Sequence, residues 1–151
     1  MALREAAMQT KEQQRSEFAL NQVKEVFQIP VDEKVANFVV GVPTMILTNG
    51  LGQTLAFLLS KHKEPDARDS EEKKKDKLKY RDAFDIIQRW LNQQKAMGLT
   101  ETDRFSFLRK LSIIDQTTYL RAQKESLAML QWLKRYVRAF VKEEKSETPE
   151  E

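Results

Sequence analysis

Four basic residues near the end of the chain, Lys124, Arg135, Arg138 and Lys142, fall on one side of a helix at about 100° per residue, with Arg121 beside them and only Glu125 nearby to offset them. A stripe of one sign repels itself and is stabilised most when phosphates neutralise it, so contact with a nucleic-acid backbone is the chemistry these residues suit. Arg15 joins them if the first helix packs alongside. No base-reading motif accompanies the stripe, so binding without sequence preference is expected, and the bland alternative is a solubilising face. Catalytic chemistry finds less support. The single histidine, His62, stands between Lys61 and Lys63 in a run of charges and reads as a solvated side chain rather than a general base. The acidic pairs Glu71-Glu72 and Glu143-Glu144 lie in polar surroundings that would not raise a carboxyl pKa for acid catalysis. Gly50-Leu51-Gly52 lacks the preceding strand and third glycine of a dinucleotide turn, and no phosphate-binding loop or helical zinc motif occurs. With no cysteine and one histidine, neither thiolate nor multi-histidine metal sites can form, so no catalytic residue, metal, cofactor or small-molecule substrate is expected.

The elements that would position the stripe are helical. In 151 residues there are only four glycines and four prolines, with 40% apolar and 32% charged residues, a composition that predicts a single all-α domain of about six helices over residues 1–142. With 26 basic and 23 acidic residues the net charge is only +3, so placement of charge matters more than its total. A first helix is predicted within residues 3–27, with Ala19, Val23, Val26 and Phe27 at helical spacing. A second begins after Asp32 and carries Val35, Phe38, Val39, Val42, Met45 and Ile46; Pro43 either kinks it or ends its regular part. Asn49-Gly50-Leu51-Gly52 reads as a stop and restart, followed by a third helix to Lys61 that is apolar on nearly every side and expected to be shielded from solvent. Residues 35–60 hold no formal charge, but the glycines and Pro43 divide them into blocks too short to cross a bilayer as one helix, so a buried hairpin and no membrane contact are expected.

Residues 61–79 carry eight basic and six acidic residues and read as a solvated charged loop, while Ser70-Glu71-Glu72 supplies a cap and first-turn acids for a fourth helix. The fourth helix shows Tyr80, Phe84, Ile87 and Leu91 on one side, with Trp90 assigned to the core, and Arg81, Asp82, Asp85 and Arg89 on the other as ordinary solvated charge. A short fifth helix through Phe107, Leu108, Leu111 and Ile114 precedes the longest, residues 116–142, whose buried stripe is Tyr119, Leu130, Leu133, Val137 and Phe140. Trp132 falls at the edge of that stripe and is assigned to the core side. The length and end-to-end core stripe of this helix argue against a DNA-reading helix-turn-helix with the fifth. Residues 143–151 are an acidic tail too polar to pack and expected to be disordered. The charged N-terminal stretch and absence of cysteine favour a cytoplasmic protein.

Four blocks resemble the small, all-helical subunit of the type III-B (Cmr-module) CRISPR effector complex. They are Arg15, Ala19 and Val23; the stretch VPTMILTNGLGQTLAFLLSK from Val42 to Lys61; Asp115 with Tyr119 and Leu120; and Glu125, Leu127, Ala128, Trp132, Leu133, Lys134 and Arg135. The resemblance implies a non-catalytic scaffold in antiviral defence that stacks in more than one copy along a guide-RNA ribonucleoprotein, near the target RNA and beside other subunits that perform the cleavage. The charged loop and acidic tail match none of these blocks. A helical adaptor of another ribonucleoprotein or protein assembly is the second expectation from the residues alone.

Overall fold

The computed structural model describes residues 8–143. Helix α1, Lys11–Gln22, starts at Thr10, whose hydroxyl accepts from the Gln13 amide while the Gln13 side chain accepts from Thr10 N–H. It begins later than the run free of Gly and Pro from residue 3 suggests, and positions 3–7 of the expected helix lie outside the described residues. A π-helical turn, Val23–Phe27, continues α1 and buries Val23 and Phe27. Helix α2, Glu33–Asn49, is capped by Asp32, which accepts from the amides of Lys34 at 2.9 Å and Val35 at 3.3 Å. Pro43 is buried inside α2 and does not end it: the helix continues for six residues, although the bond that would go to the Val39 carbonyl is missing.

Gly50, at φ +85°, joins α2 to α3, Leu51–Lys61, with no loop between them. Leu51, Leu55 and Leu58 are fully buried, but Gln53, Ala56, Phe57 and Ser60 are exposed, so α3 is open on one side instead of shielded all round. No helix among the described residues is long and apolar enough to cross a membrane. The charged loop expected over 61–79 spans only 62–70. Helix α4, Glu71–Gln93, claims the rest because Ser70 caps it and its lysines pair locally: Lys73 with Asp69 at 3.8 Å, Lys74 with Glu71 at 3.7 Å, and Lys79 with Asp76.

After α4, a 3-10 turn, Lys95–Met97, ends at Gly98 in the left-handed region. Helices α5, Arg104–Ile113, and α6, Gln116–Ala139, are each capped by an aspartate, Asp103 and Asp115. The main packing partners of α6 are α1 and α2, so it runs through the body of the fold with one face outward. The core joins Ala19, Val39, Ile46, Leu55, Phe84, Phe107, Leu130 and Leu133 from the six described α-helices, and Trp90 lies within it as expected. Helix α6 stops three residues before Lys142. There Val31 N–H donates to the Phe140 carbonyl and Lys142 N–H to the Val31 carbonyl, an isolated parallel bridge in an otherwise helical structure. Of the acidic tail, residues 144–151 lie outside the described residues.

Candidate nucleic-acid interface

The outward face of α6 is built by the burial of the opposite one. Ala122, Ser126, Met129, Leu130, Leu133 and Val137 are buried, which fixes the rotation of the helix and turns Arg121, Lys124, Arg135 and Arg138 to solvent. Lys142, beyond the helix end, also has an exposed side chain, placed by the bridge to Val31 and not by helical phase. Among the described residues none of these five side chains has a hydrogen-bond or ion-pair partner. The face falls into two clusters. Ala128 and exposed Gln131 separate Arg121 and Lys124 from Arg135 and Arg138, and the eleven residues from Lys124 to Arg135 correspond to about 16 Å of helix.

Arg15 is not part of this surface. Its guanidinium points inward and donates to both carboxylate oxygens of Glu125, Nε at 2.7 Å and Nη2 at 2.9 Å, and Nη1 donates to Glu12 at 2.5 Å. The hydrogen bond with Glu125 is the main reason that its pKa is raised. Nor does Glu125 offset the stripe, because it is 8% exposed and also accepts from Trp90 Nε1 at 3.0 Å. Burial pushes its pKa up, but the bonds from Arg15 and Trp90 act more strongly in the other direction and hold the carboxyl below its usual value. The sequence carries a signal for this placement. Glu125 stands four and eight residues before Met129 and Leu133, on the buried repeat.

Two more α6 side chains act as caps for another helix. Helix α3 has no side-chain cap of its own; Gln123 Oε1 accepts from Leu51 N–H and Tyr119 Oη accepts from Gly52 N–H, both at 2.9 Å. A Cβ at Gly52 would come within 3.3 Å of that hydroxyl, so the glycine permits the approach. Trp132 lies partly exposed against the core edge, its indole N–H donating to Glu12 at 3.1 Å and its ring 5.9 Å from that of Tyr136.

The other candidate groups are placed differently from expectation. His62 is half-buried, with Nε2 3.5 Å from the Glu64 carboxylate and Nδ1 buried without a partner. The charged side of α4 ties helices together and is not merely solvated: Asp85 accepts two bonds from Arg104 of α5, and Arg89 donates to Gln22 of α1. Burial raises the Asp82 carboxyl to about 6, against the opposing influence of Arg81. No group of three or more His, Asp or Glu side chains among the described residues could hold a metal ion.

Comparison with known proteins follows this architecture closely. A family model described as CRISPR-associated protein (Cas_Cmr5) matches residues 11–140, from the first residue of α1 to just past α6. The crystal structure of a CRISPR-associated Cmr5 family protein from Thermus thermophilus is similar in fold, with a TM-score of 0.58 and 22% sequence identity over 89% of this chain and 100% of that one.

Proposed function

The chain belongs to the Cmr5 family of CRISPR-associated proteins, and on that premise we propose that it is the non-catalytic small subunit of a type III-B RNA-guided interference complex. In this reading it scaffolds the ribonucleoprotein, in more than one copy and beside other subunits, and holds target RNA by its backbone through Arg121, Lys124, Arg135, Arg138 and Lys142. The observation that carries the RNA contact is the absence of any partner for these five side chains among the described residues, whereas Arg15, Lys77 and Arg104 are all engaged by carboxylates. Unpaired surface cations of one sign retain their full attraction for phosphate. Scaffolding is supported by the family match over residues 11–140. The non-catalytic assignment rests on a sequence with no cysteine and one histidine.

The test is charge reversal of Arg135, Arg138 and Lys142 together, studied in the assembled complex with target RNAs of unrelated sequence. Single-strand affinity falls with salt at a log–log slope of about −0.7 per phosphate contact, so losing three contacts should flatten the slope by about 2 and weaken all sequences alike. Helicity should be unchanged, because none of the three side chains is buried. A variant that assembles and binds with unaltered affinity and slope would show the face to be solubilising only.

A further inference from the structure

A concavity beside the basic face is not explained by phosphate contact. It is a groove of about 650 Å³ between α1, the end of α4 with the following 3-10 turn, and α6, and its size is in the range of small-molecule sites. Its floor is apolar, formed by Phe18 and Met97 over the buried Trp90. Lys11 closes one side, donating to Gln94 while its Nζ sits 5.6 Å from the centre of the Trp90 ring. The walls are unusual in chemistry. Gln14 and Asn21, seven residues apart and therefore on one side of α1, face the groove together with Gln93 from α4. All three carboxamides are exposed and have no hydrogen-bond partner among the described residues.

We propose that this groove receives an unpaired nucleobase of the bound RNA, with Arg121 and Lys95 at its rim on the adjoining phosphates. The inference rests on the RNA-contact reading of α6 and adds a site to it. A carboxamide presents donor and acceptor side by side, the pattern that matches a base edge, and three of them around an apolar floor suit a flat, neutral, polar-edged group. Arg121 belongs both to the groove and to the cationic face, so a strand lying along Lys124 and Arg121 passes its mouth. An acidic peptide fits less well. It would be attracted by the cations, but inside the groove its carboxylates would meet Glu17, which is exposed on the same lining and has no cation partner among the described residues, whereas a neutral base would not be repelled there.

The experiment measures fluorescence anisotropy of the full chain at low salt with an unstructured single-stranded RNA of about 12 nucleotides, a length within single-strand site sizes. A second probe is the same strand without its bases. The abasic strand should bind about tenfold more weakly with the same salt slope. The double substitution Gln14→Ala and Gln93→Ala, at exposed positions, should weaken binding of the intact RNA by about three- to tenfold and leave the abasic strand unaffected. Equal affinity for the two strands, or equal loss on both in the double variant, overturns the nucleobase site while leaving the phosphate contacts standing. If neither strand shows salt-dependent binding, the RNA reading of α6 falls and the groove proposal with it. Displacement of RNA by hexaglutamate from the parent protein, lost in the double variant, would assign the groove to an acidic peptide and also overturn it.

Discussion

Replacing Glu125 by Gln keeps the volume of the side chain and changes only its charge and one acceptor. In the native protein its carboxylate accepts two bonds from Arg15 and one from the Trp90 indole, joining α1, α4 and α6 at one point. The amide oxygen of glutamine can still serve Trp90, but its NH2 then faces the guanidinium, donor against donor. A hydrogen bond to a charged partner contributes about 1.5–3 kcal/mol to stability. Arg15 is 18% exposed and keeps Glu12, which reduces the loss, so the expected cost is about 2 kcal/mol. For a domain of this length that lowers Tm by about 4–8 °C. Thermal and urea unfolding followed by circular dichroism measures it directly. The pH dependence gives a second readout. A carboxyl held below its usual value contributes stability that is present above the unfolded glutamate pKa of about 4.3 and is lost as pH falls through the folded value. The deficit of Glu125→Gln should therefore be full at pH 7 and shrink below about pH 4. A variant within 0.5 kcal/mol of the parent at pH 7, about the contribution of an exposed ion pair, would refute the claim that this contact organises the bundle.

Tyr119→Phe removes the acceptor of the Gly52 amide at the start of α3, one of the two caps that α6 supplies to it, and should cost about 1 kcal/mol, read as a Tm lower by about 2–4 °C. Hydrogen exchange should quicken at Gly52 and Leu51 more than in α5. Asp82 behaves in the opposite sense to Glu125: burial raises its carboxyl to about 6, above the unfolded aspartate, so the folded state binds the extra proton and stability falls as pH rises from about 4 to 6. Asp82→Asn should flatten that segment of the stability–pH curve and be neutral or stabilising at pH 7, and a curve that keeps its slope would assign the effect to another group.

What can be read from the sequence divides by the range of the interaction that decides it. Asp32 and Ser70 cap the helices whose starts they mark in the sequence, and Asp103 and Asp115 do the same for α5 and α6, because capping involves the residue and the next three amides and nothing else. The buried positions Val35, Val39, Phe84, Ile87, Leu130 and Leu133 follow from periodicity alone. The start of α1 is equally local, since Thr10 and Gln13 form a capping box, but the segment free of Gly and Pro runs past it toward the N-terminus. Periodicity says which face of a helix turns inward and not what meets it there. Arg15 and Glu125 are separated by 110 residues, and although the buried repeat of α6 marks Glu125 as inward, a carboxylate on one helix gives no sign of the cation awaiting it on another. The end of α6 is set in the same way by Val31, a remote strand-like partner, so helical spacing alone carries Lys142 one turn too far as helix.

The blocks that carry the family resemblance meet one another in space. The central Asn-Gly-Leu-Gly stretch is held by Tyr119 and its neighbour Gln123, Arg15 by Glu125, and Trp132 by Glu12 beside Arg15. These residues are therefore accounted for by architecture: they fix how α1, α3 and α4 sit against α6. Of the five cations assigned to RNA, Arg121, Lys124, Arg138 and Lys142 stand outside those blocks, and only Arg135 lies within one. Arg135 apart, the fold and the proposed contact are thus written in different residues, the cations of α6 turned outward from the buried face and Lys142 placed beyond its end. With the inward polar groups engaged by other helices and the outward cations free, charge reversal on the outer face should change RNA affinity without changing stability, while Glu125→Gln should do the reverse.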